Sequence, residues 1–153
     1  MSRSVLFVCT GNTCRSPLAE AMARKLAAAR GLDAVFSSAG TSAWQGSPAS
    51  DGSMLVGLER KLDLSTHRSR PLTRELVEEA TLILGMSSHH VAQALALGGD
   101  GKSFLLADYA AASTTGRSIH DPFGEDLDAY RQMADELDEV LPRVIARLAG
   151  DAP

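Results

Sequence analysis

The stretch CTGNTCRS, residues 9–16, puts a cysteine and an arginine at the two ends of a five-residue loop. Gly11 and Asn12 tolerate positive φ, so the loop can curl with its N–H groups pointing inward. Such a nest of amides, closing onto a helix N-terminus, binds anions. The planar guanidinium of Arg15 suits two oxygens of a phosphate. The spacing therefore predicts a phosphate-binding loop.

Cys9 stands at the floor of this loop. The field that attracts an anion also favours the thiolate, which is the nucleophilic form of cysteine. A thiolate beneath a bound tetrahedral oxyanion is placed for in-line attack on phosphorus. A buried structural cysteine beside a surface arginine is the alternative for an isolated pair, but the glycine, the asparagine and Ser16-Pro17 agree with the strand–loop–helix context. We therefore predict that Cys9 acts in phosphoryl transfer.

The elements that position this loop follow from the apolar pattern. Short apolar runs at 4–9, 35–40, 81–86 and 103–107 predict strands. Helices are predicted at 17–30, near 50–62, at 73–80, from Ser87 or Ser88 to about Leu97, and from the 119–125 loop to about Leu148. Pro17 suits the first helical position and Gly31 a helix end, whereas Pro142 predicts a kink or a break.

The alternation of strands and helices predicts an α/β fold in one domain, residues 1–153. It is a doubly wound, four-stranded parallel sheet with helices on both faces. Ligands of such folds bind outside the carboxyl ends of the strands. Cys9 lies at one such end, and the loop containing Asp121 follows the last strand.

Composition excludes several classes of function. The net charge of −4 gives no overall basic field for nucleic acid or an anionic membrane. No signal peptide or bilayer-spanning run is present, so we expect a cytoplasmic protein. Cys9 and Cys14 are the two cysteines, and in a reducing compartment a reactive role suits them better than a structural disulfide. Two cysteines are too few for a structural zinc site, and no metal or cofactor is expected.

Several motifs of the sequence resemble those of a known family. CTGNTCRSP is similar to the signature loop of the low-molecular-weight protein tyrosine phosphatases, a cysteine-dependent group with a flavodoxin-like sheet. SSAGTSAW, DLSTHRSRPLT and DPFG resemble its later motifs in order, so the likeness covers essentially the whole chain. It implies phosphorylated protein substrates and a phosphocysteine intermediate.

The resemblance also implies roles for individual residues. Cys9 is the nucleophile, Arg15 the phosphate clamp and Asp121 the general acid. Asn12 and Ser16 hold the loop and hydrogen-bond the thiolate. The phosphate-binding loop comprises Thr10, Gly11, Asn12, Thr13, Cys14 and Ser16.

Asp121 also has a chemical argument of its own, because a phosphoryl leaving group departs best with a proton from a positioned acid. The same carboxylate can serve as the base when the phosphocysteine is hydrolysed. Trp44 and Phe123 flank predicted active loops, so we expect them to wall the substrate pocket, although a core or rim position is the alternative.

The histidines carry weaker signals. His120 is expected to be a loop residue. His67 and Arg68 either buttress the phosphate loop, as the family pattern suggests, or lie on the surface. His89 and His90 are adjacent, and we interpret both as solvent-facing.

Two residues bear on the substrate. Thr13 replaces the bulky aliphatic residue that is typical of tyrosine-specific members, and Gly124 follows Phe123 where those members carry a second aromatic residue. Both features resemble the bacterial protein-arginine phosphatase branch. Threonine leaves room and a hydroxyl near the scissile bond, and Phe123 can stack on a guanidinium plane. Phosphoarginine is thus the expected substrate and phosphotyrosine the alternative.

Other activities fit less well. A thioredoxin-coupled arsenate reductase needs a cysteine pair downstream of Cys14, and the chain has none. A non-catalytic phosphate-binding module has no use for Cys9 or Asp121. We further expect Cys14 to act as a redox partner that traps oxidised Cys9 as a disulfide. Cys14 as a small apolar filler is the alternative. We expect a monomer.

Overall fold

Four parallel strands form one sheet at the centre of the computed structural model, which describes residues 3–151. The strands are β1 (Arg3–Cys9), β2 (Ala34–Gly40), β3 (Leu82–Gly85) and β4 (Ser103–Leu105), in the order β2-β1-β3-β4. The helices are α1 (Arg15–Arg30), α2 (Asp51–Glu59), α3 (Arg74–Glu79), α4 (Ser88–Ala96), α5 (Leu106–Ala111) and α6 (Leu127–Leu148). The predicted α/β class is confirmed.

Both faces of β1 are buried, because its alternate side chains point to opposite sides of the sheet. Val5 and Phe7 join the larger core, with apolar residues of α1, α2, α5 and α6. Leu6 and Val8 join a second core, with residues of α3 and α4. Helices therefore cover both faces, as a continuous apolar run such as VLFV predicts.

The strand order reverses at β1, since β2 lies on one side of it and β3 on the other. In open parallel sheets this reversal leaves a crevice at the carboxyl ends of the strands, because the chain leaves the two neighbouring strands towards opposite faces. The residues that follow β1 occupy this position. The fold thereby places the Cys9–Arg15 loop at the edge of the sheet where ligands bind.

Pro142 does not break α6, which runs without interruption from Leu127 to Leu148. A proline inside a helix costs about 3 kcal/mol. Val144, Ile145 and Leu148 follow it and are all buried in the larger core. Burial of each apolar side chain stabilises by about 1.5–3 kcal/mol, which outweighs the cost of the proline.

Two other boundaries differ from the prediction. The apolar run 103–107 contains a strand of only three residues, and the chain then turns into α5, which the sequence analysis missed. Helix α1 begins at Arg15, two residues before the predicted start, so Pro17 is its third residue. Pro17 still lies in the first turn, where no N–H is needed. Gly31 lies at the end of α1, as predicted, and it has the left-handed conformation there.

No helix within residues 3–151 is long and apolar enough to cross a membrane.

Candidate active site

The Cys9–Arg15 loop connects the last residue of β1 to the first residue of α1. Cys9 is only 2% exposed and Arg15 only 3% exposed. Both side chains are thus held by their surroundings. Because β1 is the strand at which the sheet order reverses, the loop opens into the crevice described above.

The carbonyl groups of the loop are bonded to segments around it. Five of them accept hydrogen bonds, those of Cys9, Thr10, Asn12, Thr13 and Cys14. The N–H groups of Thr41 and Ser42 donate to Cys9 and Thr10. Nε2 of His67 donates to Asn12. The N–H of Ser50 donates to Thr13, and Oγ of Ser53 donates to Cys14. The distances are 2.7–2.9 Å. These bonds fix the orientation of nearly every peptide plane in the loop.

The orientation of the carbonyls determines that of the amides. No cis peptide bond occurs within residues 3–151, and in a trans peptide the C=O and the next N–H point in opposite directions. The five bonded carbonyls point towards the supporting segments. The N–H groups of Thr10, Gly11, Thr13, Cys14 and Arg15 therefore point the other way, towards the cavity. This orientation is the one that the predicted amide nest requires.

Asn12 and Gly40 allow the loop to curl. Asn12 has a φ of 55°, a left-handed conformation that asparagine tolerates better than most residues. Gly40, at the end of β2, packs so closely against the loop that an added Cβ would collide with the backbone oxygen of Thr10 and the backbone nitrogen of Asn12. A side chain at position 40 would thus push the loop out of place.

A buried chain of hydrogen bonds leads from Cys9 to the surface. Oγ of Ser16 lies 2.9 Å from Sγ of Cys9 and accepts a hydrogen bond from Nδ2 of Asn12 at 2.8 Å. The hydroxyl proton of Ser16 is therefore free to point at the sulfur, where it stabilises a thiolate.

The same amide of Asn12 also donates to Ser38 at 2.9 Å, and Ser38 donates to Glu20 at 2.8 Å. Oδ1 of Asn12 accepts from the N–H of Arg70 at 3.0 Å. These bonds satisfy the side chain of Asn12 and fix it in place.

Three groups hold the guanidinium of Arg15. Nη1 donates to Oγ of Ser87 and to the carbonyl oxygen of Ile119, each at 3.2 Å. Nη2 lies 3.5 Å from Oδ2 of Asp121. The guanidinium therefore lies between the start of α4 and the loop that carries Asp121.

Asp121 is half exposed, and hydrogen bonds hold the residues on either side of it. Oδ1 of Asp121 accepts from the N–H of Phe123 at 3.2 Å. The N–H of His120 donates to Glu136 of α6 at 3.0 Å, and the His120 ring lies 3.1 Å from the carboxylate of Glu125. His120 is thus a loop histidine, one that closes the turn around Asp121.

A cavity of about 310 Å³ opens above the loop. It brings together Cys9, Thr10, Gly11, Thr13, Cys14, Arg15, Ser42, Trp44, Ser47, Asp121 and Phe123. Trp44 is 83% exposed and Phe123 79% exposed, so both rings stand at the rim with their faces accessible. Asn12 and Ser16 lie beneath the loop and are fully buried.

Cys14 lies within the wall of the cavity, away from solvent. Its Sγ is 3.4 Å from Oγ of Ser50 and 3.5 Å from the hydroxyl of Tyr130. Burial, together with the hydrogen bond to Cys14, raises the pKa of Tyr130 above its ordinary value. Both cysteines are free thiols.

The sequence alone leaves open whether His67 and Arg68 support the loop or lie on the surface. His67 supports the loop, through Asn12, whereas the side chain of Arg68 bonds the carbonyls of Ser65 and His67 instead. The roles of Ser38, Arg70 and Ser87 were missed, because these contacts join segments far apart in the chain.

His90 was interpreted as solvent-facing, and this is wrong: the residue is fully buried. Its position three residues after Ser87, where a side chain can bond back to a helix N-cap, was the available signal. Burial, helped by the charges of His89 and Arg15, lowers the pKa of His90 to about 3.

Comparison with known proteins agrees with this fold. The family model described as Low molecular weight phosphotyrosine protein phosphatase matches residues 4–152, and the chain belongs to this family. It is a protein phosphatase of the low-molecular-weight class.

Several relatives cover nearly the whole chain. A protein-arginine-phosphatase of Bacillus subtilis (strain 168) is 39% identical over 150 residues, covering 96% of this chain and 97% of its own. The low molecular weight protein-tyrosine-phosphatase PtpB of Staphylococcus haemolyticus is 36% identical, covering 87% and 91%.

Solved structures agree with the sequence matches. A YwlE mutant from Bacillus subtilis superposes with a TM-score of 0.90 at 37% identity, covering 96% of this chain and 99% of its own. A YwlE arginine phosphatase in which the cysteine is replaced by a phosphorylated active-site serine gives 0.89 at 38% identity, covering 97% of both chains.

Proposed function

We propose that this chain hydrolyses phosphoarginine in proteins through a phosphocysteine intermediate, with Cys9 as nucleophile, Arg15 as phosphate clamp and Asp121 as general acid and base. One observation carries the proposal: the buried thiol of Cys9 lies at the end of a loop whose amides point into a cavity that also contains Arg15 and Asp121. Anion binding, a nucleophile and a proton donor thus converge on one space.

In the first step the loop amides and Arg15 bind the phosphoryl oxygens. Sγ of Cys9 attacks phosphorus as a thiolate, and a sulfur–phosphorus bond forms while the phosphorus–nitrogen bond breaks. The electron pair of the broken bond goes to the guanidino nitrogen, which takes the proton of the Asp121 carboxyl group. Arginine then leaves.

In the second step the Asp121 carboxylate takes a proton from water, whose oxygen attacks phosphorus. Sγ of Cys9 leaves as a thiolate, and inorganic phosphate is released. The hydroxyl of Ser16, held by Asn12, stabilises this leaving thiolate as it stabilises the attacking one. No cofactor or metal takes part in either step.

Thr13 and Phe123 support phosphoarginine as the substrate. Both line the cavity, where a compact, hydroxyl-bearing side chain and an accessible aromatic face suit a branched, planar guanidinium. The 39% and 37% identity to two proteins named protein-arginine-phosphatase supports the same choice.

Phosphotyrosine is the second candidate. The family description and the 36% identity to a protein-tyrosine-phosphatase favour it, and the rim aromatic rings would also accept a phenyl ring. The arsenate reductase alternative lacks support, since no cysteine follows Cys14. A binding module without catalysis would leave Cys9 and Asp121 unused.

The substrates are phosphorylated proteins. We further propose a cytoplasmic monomer with no nucleic-acid or membrane partner. The net charge of −4 supports the last part, because it gives no overall basic field for nucleic acid or an anionic membrane.

The test is to incubate Cys9→Ser with a phosphoarginine peptide and measure the intact mass of the protein. Wild type should release phosphate catalytically. The variant should stop turning over yet gain one phosphoryl group at position 9, because serine accepts the phosphoryl group but is a poor leaving group. Substantial turnover by Cys9→Ser would remove Cys9 from the mechanism.

A further inference from the structure

His90 is a fully buried titratable side chain that the mechanism above does not use. It is the third residue of α4, and its ring points back over the start of that helix. Nδ1 lies 3.0 Å from the backbone nitrogen of Ser87, and Nε2 lies 2.9 Å from Oγ1 of Thr10. The ring therefore joins α4 to the residue that directly follows Cys9.

The two contacts fix the tautomer of the ring. The N–H of Ser87 can only donate, so Nδ1 of His90 accepts and carries no proton. The low pKa keeps the ring neutral at neutral pH, and its single proton is on Nε2. His90 thus donates a hydrogen bond to the hydroxyl of Thr10.

This bond sets the direction of the Thr10 hydroxyl. Since Oγ1 of Thr10 accepts from His90, the hydroxyl proton of Thr10 must point elsewhere. Thr10 lines the cavity above the loop. Its hydroxyl is consequently available as a donor to an oxyanion bound there.

Ser87 links the same ring to the clamp. The N–H of Ser87 is bonded to His90, and its Oγ accepts from Nη1 of Arg15 at 3.2 Å. One imidazole is thereby connected to both ends of the Cys9–Arg15 loop, through Thr10 at one end and Ser87 at the other.

We propose that His90 is a positioning residue of the phosphatase site, which orients the Thr10 hydroxyl as a hydrogen-bond donor to the phosphoryl group and holds Ser87 against Arg15. The inference rests on the proposed function, because it assumes that the phosphoryl group binds in this loop. It adds to that site a side-chain hydroxyl that a buried histidine directs.

Two substitutions separate the two bonds of the ring. Asparagine at position 90 places Oδ1 near the position of Nδ1, so His90→Asn keeps the bond from Ser87 but does not reach Thr10. Glutamine is longer and places an amide nitrogen near the position of Nε2, so His90→Gln restores a donor to Thr10. Thr10→Val removes the hydroxyl at nearly constant volume.

The experiment is a double-mutant cycle with an aryl phosphate substrate and with vanadate binding. His90→Asn should lower kcat/KM and vanadate affinity by about tenfold, the value of one hydrogen bond at the upper end of the usual range. In the Thr10→Val background, His90→Asn should lower kcat/KM and vanadate affinity by less than about twofold, because the Thr10 hydroxyl that His90 bonds is already absent. His90→Gln should recover part of the loss.

His89→Asn is the matched control. This neighbouring histidine is exposed, so its substitution should change the rate by no more than about twofold. Equal losses from His90→Asn in the wild-type and Thr10→Val backgrounds would overturn the proposal, as would a His90→Asn enzyme with full activity. If His90→Asn does not fold, the pair His90→Gln and Thr10→Val decides: full activity in Thr10→Val overturns the proposal.

Wild-type assays distinguish failure of the His90 proposal from failure of the proposed function. If wild type fails to hydrolyse phosphoarginine yet turns over aryl phosphate, the substrate assignment is wrong and the cycle still tests His90. If wild type turns over neither, the phosphatase mechanism itself is wrong.

Discussion

Nη2 of Arg15 lies 3.5 Å from Oδ2 of Asp121, so the proposed clamp and the proposed acid are in direct contact. A phosphoryl group held by Arg15 is therefore within reach of the carboxyl group that must protonate the leaving atom. The side chain of Arg15 is buried in the cavity wall, whereas that of Asp121 is half exposed. Proximity of this kind is what general acid catalysis requires.

Asp121→Asn should therefore slow leaving-group departure, by about 10²–10⁴-fold for a basic leaving group. Asparagine keeps the size of the side chain but has no proton to give. Aryl phosphates with acidic phenols need little protonation and should lose much less. The measurement is kcat/KM across a series of aryl phosphates. An equal loss for every leaving group would mean that Asp121 acts structurally, through Arg15.

Thr13→Ile should selectively impair phosphoarginine hydrolysis. Isoleucine crowds the guanidinium and offers no hydroxyl, so N–H groups of the substrate are left unpaired when the site closes. Such a group costs about 1–3 kcal/mol, which corresponds to roughly ten- to hundredfold in relative rate. Phosphotyrosine hydrolysis should be spared or improved. The readout is the change in the ratio of kcat/KM for the two substrates, and an unchanged ratio would show that Thr13 does not select the substrate.

Peroxide should inactivate the enzyme reversibly by joining Cys9 to Cys14. Cys9 should be oxidised first to a sulfenic acid, and the Cys14 thiol can condense with it to a disulfide and water. Both cysteines are free thiols in the same loop, which favours this reaction. Mass spectrometry after peroxide should show the loss of two hydrogens and full recovery with a thiol reductant. Conversion of Cys9 to a sulfonic acid without a disulfide would contradict the prediction.

His90 should make the protein sensitive to acid. Its pKa falls from 6.5 to about 3 on folding, mainly through burial, with His89 and Arg15 acting in the same direction and Asp121 opposing them. Between these pH values the unfolded chain binds a proton that the folded protein does not. Falling pH therefore favours unfolding, and this residue contributes a loss of about 1.4 kcal/mol per pH unit.

Urea denaturation of wild type and His90→Asn at pH 7 and pH 5 measures this effect. The variant should lose less stability than wild type as the pH falls, because it lacks the titrating ring. Parallel losses in the two proteins would show that His90 is not the group responsible.

The parts of the site that are close together in the chain could be predicted from the sequence. Cys9 and Arg15 lie within seven residues, and the loop chemistry between them is local. Asp121 could be placed only through the order of the strands and the family resemblance. The contacts of Ser87 with Arg15 and of His90 with Thr10 were missed because the partners are 72 and 80 residues apart, and contacts at that separation exist only after the sheet has formed.

The fold agrees closely with the apolar pattern of the sequence. The errors in the predicted elements also arose because the pattern was interpreted locally. A continuous apolar run such as SFLLA does not show where a strand ends and a helix begins, so α5 was overlooked. Pro142 predicted a kink or a break, and α6 has no break because the turn after the proline is buried in the core.

The central claim is tested most directly by the turnover of matched phosphoarginine and phosphotyrosine peptides of otherwise identical sequence. The wild-type enzyme should show a higher kcat/KM for phosphoarginine, and Cys9→Ser should turn over neither. A higher kcat/KM for phosphotyrosine would contradict the account and would make this chain a tyrosine phosphatase that uses the same loop.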